Sequence, residues 1–220
     1  MVYFGPWETY FLIAEALERQ WITSGDVKGI TAEEAYNKAI ELSFIHFGVS
    51  EYYEDYIKSE TYNRIGTSVA YTHTTPASAE TMQYIDGYTN KNVTVQYQYP
   101  DGSRTLYGGQ LNDHLSKIFT QKYIAQLPYL VQECWSDYRR VGLPFFDIPA
   151  NEKMMTGTDM TEWKPDSWTS GQKWQYYPQR MRYPTTLDNA NPTEYNHALE
   201  LLGGANTTMV PLWWSMGAIK

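Results

Sequence analysis

Apolar positions recur at helical spacing through the first fifty residues. From Pro6 to about Gln20, the residues Tyr10, Ala14, Leu17 and Trp21 share a stripe that Phe11 and Ile13 widen, and Pro6 suits a first-turn position. Gly25 and Gly29 punctuate the connection that follows. Thr31 then opens a second helix, with Glu34 three residues on to complete a capping box. Its predicted apolar face is Ala35, Ala39, Leu42, Phe44, Ile45 and Phe47, and Gly48 ends it. Small residues (Ala14, Ala16, Ala39) permit close approach, so the two helices are expected to pair as an αα-hairpin. One such unit cannot bury its own face, and no second copy recurs at a fixed period. The expectation is that its covering partner lies in a missing N-terminal part and not in the later helices.

Ser50 to Ser59 reads as a short third helix capped by Ser50. From Glu60 to Gly109 the chain turns rich in Thr, Tyr, Gly and Asn and loses helical period. Within this insert Val93 to Tyr99 alternates as a strand, Pro100–Ser103 is a turn, and Arg104–Tyr107 is the expected return strand. Thr81 to Ile85 is expected to form a turn or two of helix. Asn112 or Asp113 caps a helix from Leu115 to about Leu127, Pro128 breaks it, and a further helix runs from Tyr129 to Arg140. Gly142 and Pro144 stop that helix. Phe145 to Pro184 carries no evident element, which for so long a stretch points to function or disorder, and its tryptophans argue against disorder. The last helix has Asn191 as N-cap, Pro192 at N1, Glu194 at N3 and Gly203 as its stop.

The result is a mainly α chain with one helical hairpin (tetratricopeptide-like), long irregular loops and a small β-hairpin. It reads as a single domain: hairpin plus short helix over 1–59, insert over 60–109, helices and aromatic loop over 110–220. At 220 residues it is long enough for one good core. Tyr alone contributes 20 residues, and with 8 Trp and 7 Phe the aromatic fraction reaches 16%, which suits walls that face water yet contact flat partners. The net charge of −8 repels phosphate backbones and sets nucleic acid aside. The lone Cys134 can form neither an internal disulfide nor a Cys-based zinc site and reads as a buried hydrophobe. His46, His73, His114 and His197 lack metal-ligand spacing, so no zinc and no other cofactor is expected; a calcium site from the loop carboxylates Asp86, Asp101 and Asp159 stays open, without EF-hand spacing to support it. The start, Met1 to Trp7, has neither the basic nor the apolar stretch of a secretory signal, and the chain is expected to begin inside a domain.

Four collinear blocks carry a family resemblance. They are Glu8-Thr9-Tyr10-Phe11-Leu12-Ile13-Ala14-Glu15-Ala16, then Tyr36 to Phe44 with Phe47-Gly48-Val49. The third is Thr120-Gln121-Lys122-Tyr123-Ile124-Ala125 with Glu133-Cys134-Trp135-Ser136-Asp137-Tyr138-Arg139-Arg140-Val141-Gly142-Leu143-Pro144. The fourth runs from Arg180-Met181-Arg182-Tyr183-Pro184 through Asn191-Pro192 and Gly203-Gly204 to Leu212-Trp213-Trp214. Together they resemble the SusD/RagB family of outer-membrane lipoproteins, in its C-terminal half. The resemblance implies a SusD-like α-helical fold and non-catalytic capture of glycans or other nutrients at the bacterial cell surface. It also implies an oligosaccharide ligand and a SusC-like TonB-dependent transporter as partners. Two departures are plain: no lipobox cysteine is present, and Pro211 stands where the family often has Thr-Lys.

A pyranose stacks its C–H face on an indole or phenol and needs polar groups for its hydroxyls. Trp163, Trp168, Trp174, Tyr176 and Tyr177 are the first candidate glycan-binding set, with Asp159, Asp166, Gln172 and Gln175 near them. Tyr62, Tyr71, Tyr84 and Tyr88 are the second. Arg139 and Arg140 could clamp a carboxylate, but their place at a helix C-terminus favours a structural role against the macrodipole. Arg180 and Arg182 alternate with Met181 and Tyr183, so the apolar pair is expected to pack while the arginines meet acids. A helical-repeat adaptor for protein segments is the alternative function, distinguished by aromatics lining a helical groove instead of loops. A glycoside hydrolase ranks third, because Glu133 and Asp137 share one helix face and do not flank a bond.

Overall fold

A computed structural model of the chain describes residues 4–77, 81–85, 89–96, 109–146, 180–208, 210 and 212. Helix α1 (Pro6–Glu18) begins at its proline as expected. It closes two residues early in a Schellman arrangement: the Gln20 N–H donates to Leu17 O (3.0 Å) and the Trp21 N–H to Ala16 O (2.9 Å). Gln20 takes the left-handed conformation (φ 58°) that this closure needs. Helix α2 (Ala32–Phe47) carries the predicted capping box, Thr31 and Glu34 bonding each other's backbone N–H groups, and stops at Gly48 (φ 71°). A short 3₁₀ turn (Ser50–Tyr52) leads into α3 (Tyr53–Tyr56).

The core locates the hairpin's inner face differently from its apolar periodicity. On α1 the buried positions are Trp7, Glu8, Phe11, Ala14 and Glu15; on α2 they are Ala35, Tyr36, Ala39, Ile40 and Ser43. Ile45 (54% exposed), Phe47 and Trp21 lie outside it, a correction to the stripes predicted from sequence. Helix α4 (His114–Gln126) supplies Ile118 and Ala125 to the same cluster and packs on both α1 and α2. A later helix therefore covers the hairpin's inner face, contrary to the expectation. Nine of the cluster's side chains come from helices; the tenth is Tyr71, whose ring meets that of Tyr36 at 5.2 Å.

Asp113, not Asn112, caps α4, its carboxylate accepting from the Ser116 N–H at 2.7 Å. Asn112 has a separate task. Its Nδ2 donates to the carbonyls of His73 (3.0 Å) and Thr75 (2.5 Å), while its Oδ1 accepts from the Ser68 N–H and from Lys117 Nζ, both at 2.8 Å. Lys117, fully buried, donates also to Ser68 O (2.8 Å) and Ser68 Oγ (2.7 Å). This knot ties the 63–75 loop to α4. Nearby, Ala77, Leu111, Phe119, Val141, Leu143 and Phe145 form a second cluster.

Two strands, β1 (Thr81–Ile85) and β2 (Asn92–Gln96), pair antiparallel with Thr81 opposite Gln96 and Ile85 opposite Asn92. A β-hairpin in the insert was expected, but its partnering is corrected: Thr81–Ile85 is the strand that pairs, not a helical turn. Period alone cannot separate the two for five residues, and backbone pairing decides. The expected return strand at 104–107 lies outside the described residues.

Helix α5 (Val131–Val141) follows the Pro128 break and ends at Gly142 (φ 69°), with the predicted stop geometry. After short α6 (Leu187–Ala190), α7 (Pro192–Leu202) has the predicted Asn191 cap, whose side chain accepts from the Glu194 N–H at 3.3 Å. The Arg180–Tyr183 expectation is reversed. Met181 is 88% exposed, whereas Arg180 is buried, bonded to Thr207 O at 2.8 Å and stacked 4.6 Å from the Tyr183 ring centroid. The guanidinium's donors are taken up by Thr207 O and Asn206 Oδ1, and the Tyr183 ring lies against its face. Among the described residues no helix is long and apolar enough to cross a membrane.

Candidate functional site

An open groove of about 630 Å³ runs along α1 where it meets α4 and α5. From α1 and its flanks come Phe4, Glu8, Leu12, Glu15 and Trp21; α4 gives Lys122; α5 gives Glu133, Asp137 and Arg140. The helical period explains the set, since Glu8, Leu12 and Glu15 rise on one side of α1 and Glu133, Asp137 and Arg140 on one side of α5. The volume lies within the range of about 300–1,000 Å³ usual for small-ligand clefts.

The floor is a chain of ion pairs. Arg140 holds Glu15 through two parallel bonds, Nη1 to Oε1 at 2.7 Å and Nη2 to Oε2 at 2.8 Å, and donates from Nη2 to Asp137 Oδ1 at 3.0 Å. Lys122 Nζ sits between Asp137 Oδ2 (2.7 Å) and Glu8 Oε1 (2.8 Å). Glu8 Oε2 accepts from Gln126 Nε2 (3.0 Å), and Gln126 Oε1 accepts from the Cys134 thiol (2.9 Å). Glu15 also holds Arg19 Nε at 2.9 Å. Burial disfavours the charge on Lys122, but Asp137 and Glu8 outweigh it and hold the ammonium above its ordinary range. Burial opposes the Arg140 charge likewise, and Glu15 followed by Asp137 reverses the balance. Burial pushes the Cys134 thiol up to about 11, as expected of an inert buried cysteine.

The rim is apolar and exposed: Phe4 at 60%, Trp21 at 47% and Leu12 at 41%. Arg19 braces the indole of Trp21, its guanidinium carbon 5.3 Å from the ring centroid. Floor and rim together place exposed rings beside fixed donors and acceptors with spare capacity. Lys122 uses two of its three protons on Glu8 and Asp137, and the carboxylates keep lone pairs.

Of the candidates named from sequence, Trp163, Trp168, Trp174, Tyr176, Tyr177 and Tyr88 lie outside the described residues, as do Asp86, Asp101 and Asp159. Tyr84 falls in β1 opposite Val93. Tyr62 is half-buried against the second cluster, its hydroxyl on Thr75 O at 2.9 Å. Tyr71 is buried, its hydroxyl on Glu18 and its ring stacked on His114 at 4.1 Å, so it is a packing residue with no open face for a sugar. The structure does not bring Tyr62 or Tyr71 to the groove. Arg140 does clamp a carboxylate bidentately, but that carboxylate is Glu15 of the same chain; the macrodipole reading was incomplete.

Trp21 was missed as a site residue because its spacing placed it on the packed stripe of α1. The helix ends before it, and the left-handed turn at Gln20 swings it out. No sequence signal marked that turn, since glycine is the usual residue there. The motif residues Glu8, Glu15, Lys122, Asp137 and Arg140 were visible, but as signature letters and not as one cluster.

A mainly helical scaffold built on one hairpin, with an ion-paired groove between α1 and the later helices, is the class of protein that fold and site define. The SusD-like family model, described as SusD and RagB outer membrane lipoproteins, matches residues 1–215, and the chain belongs to that family. Two solved structures share the fold. A chitin-binding SusD homolog from Flavobacterium johnsoniae is 24% identical with a TM-score of 0.52, covering 95% of this chain and 35% of its own. A SusD homolog from Bacteroides vulgatus ATCC 8482 is 21% identical with a TM-score of 0.50, covering 96% and 35%. The chain thus spans about a third of the length of these structures. No curated protein sequence matches it.

Proposed function

We propose that this protein binds glycans at the bacterial outer-membrane surface without cleaving them and passes them to a TonB-dependent transporter. Family membership across 1–215 supports the class, and the chitin-binding relative offers one example of its ligands. The observation that carries the reading to this chain is Trp21, an exposed and braced indole beside a floor of fixed polar groups. Such a pairing satisfies both halves of a sugar, the C–H face and the hydroxyls. Binding without hydrolysis fits the groove, where Glu8, Glu15 and Asp137 each already hold a cation and Glu133 alone is left, whereas cleavage needs two carboxylates flanking one bond.

The test is affinity electrophoresis of the intact chain through gels containing soluble amylopectin, xylan, mannan or glycol chitin. Retardation is expected in at least one gel, and Trp21→Ala should abolish or reduce it. Trp163→Ala, Trp168→Ala and Trp174→Ala run alongside to test the loop aromatics proposed from sequence. Migration unaffected by every polysaccharide overturns the glycan reading, and release of chromophore from aryl glycosides overturns the non-catalytic one.

A second reading, an adaptor for protein segments, draws on the helical walls of the groove. Its mark would be a migration shift with unfolded polypeptide and none with polysaccharide.

A further inference from the structure

The main chain of Trp21 is fixed by the left-handed turn at Gln20 and by the bond from its N–H to Ala16 O at 2.9 Å. Its ring has far less to hold it. Among the described residues the one aromatic or cationic contact of that exposed indole is the Arg19 guanidinium, its carbon 5.3 Å from the ring centroid. Arg19 is itself held. Its Nε donates to Glu15 Oε1 at 2.9 Å, and that buried carboxylate is locked by the two-bond fork from Arg140. The terminal nitrogens of Arg19 have no partner among the described residues, so no second acceptor draws the guanidinium off the ring. A relay thus runs from a buried ion pair through Glu15 and Arg19 to the indole at the rim. Trp21 lines the groove and Arg19 does not, so the guanidinium backs the ring from the side away from the groove and leaves the groove side open. A surface indole without a brace turns about two side-chain torsions, and stilling it on binding subtracts from affinity. A cation against one face removes part of that cost before a ligand arrives.

Resting on the glycan reading above, we propose that Arg19 is the positioning residue of this groove. It touches no ligand. It sets affinity by holding the Trp21 indole in its stacking pose, so that the groove presents a one-faced platform for a sugar ring. Its own anchor is the Arg140–Glu15 pair, and the order of the rim therefore depends on the floor.

The experiment follows the Trp21 indole N–H resonance of the intact chain, assigned by its loss in Trp21→Phe, in wild type, Arg19→Met and Arg19→Lys. Methionine keeps an apolar stem without charge, and lysine restores a cation. Nitrogen relaxation without ligand reports the order of the ring, and titration with maltotetraose, xylotetraose, mannotetraose and chitin tetramer reports affinity. Arg19→Met is expected to loosen the ring and to weaken binding of whichever tetramer wild type takes by about two- to fivefold, the range of one exposed cation over a ring. Arg19→Lys should restore part of both. Urea midpoints show whether the variants stay folded, as expected while Arg140 still holds Glu15. A ring as ordered in Arg19→Met as in wild type, an unchanged affinity, or no difference between the methionine and lysine variants each overturns the proposal and leaves the glycan reading standing. Loss of the fold in Arg19→Met overturns it too, because Arg19 is then a structural residue. No response of wild type to any tetramer also overturns it, and gel retardation by polysaccharide then decides the glycan reading separately.

Discussion

Arg140 and Glu15 meet in a two-bond fork across 125 positions of sequence, joining α5 to α1 through a carboxylate that is only 4% exposed. The pair is both a structural bolt and the middle of the groove floor. Its partners extend the chain of charge, with Arg19 on one side and Asp137 and Lys122 on the other. Because each charge is balanced by the next, losing one member exposes another.

Replacement of Arg140 by Ala should therefore destabilise the fold by about 3 kcal/mol, toward the lower end for breaking a buried pair because Arg19 still contacts Glu15. Arg140→Lys should recover only part of the loss, because an ammonium cannot reproduce the fork. Urea unfolding of the three proteins checks this, and full rescue by lysine would contradict the geometric argument.

Lys117 sets a pH dependence. Burial lowers it from its ordinary range to about 8, while the unfolded chain keeps it protonated to well above that. Between about pH 8 and 9 the unfolded state then binds more protons than the folded state, so stability rises with pH. Cys134 acts in the opposite sense. Its folded value is pushed up to about 11, so above about 9 the unfolded thiol loses its proton first and stability falls. Tyr36, Tyr53, Tyr56 and Tyr71, all raised first by burial, steepen that fall at higher pH. The urea midpoint should peak near pH 9, and Lys117→Met should flatten the rising limb whatever its overall stability.

Gly66 occupies φ 107°, and a Cβ there would stand 2.8 Å from Ala77 Cβ and 3.1 Å from Leu111 Cδ2. Both neighbours belong to the second cluster. Gly66→Ala should cost about 2 kcal/mol or more, from backbone strain and overpacking together. A melting temperature equal to wild type would show that the loop shifts freely, against the packing described.

Two tryptophans on one helix region should behave oppositely. Trp7 is 2% exposed within the hairpin core, and Trp7→Ala should cost about 3–5 kcal/mol. Trp21, at 47%, should cost less than about 1 kcal/mol on truncation. Thermal unfolding compares them directly, and a large loss at Trp21 would make it a packing residue instead of a ligand platform.

Local signals were legible where the chemistry is local. The Thr31–Glu34 capping box, the Gly48 and Gly142 stops and the Asn191-Pro192 start need only residues within a few positions of one another, and each stands as read. The family was legible too, because its motif letters are short and collinear. The candidate site was less so. Tyr71 looked available as an insert aromatic and is held in the core by Glu18 and His114, one from α1 and one from α4. Arg180 looked like a partner for acids and instead takes Thr207 O and Asn206 from a segment more than twenty residues away.

By itself, then, the amino-acid order determined where helices begin and stop, which family they compose, and that Cys134 is a buried thiol. The helix ends follow from hydrogen bonds and dihedral preferences that span one turn, the family from collinear motif letters, and the thiol from the apolar character of a lone cysteine. Tertiary structure alone decided that α4 closes the hairpin, that Thr81–Ile85 pairs as a strand, and that Trp21 faces solvent. It also decided that five charged motif residues form one floor. Each of these depends on which distant surface arrives to exclude water or supply a counter-charge, and no local pattern encodes that arrival.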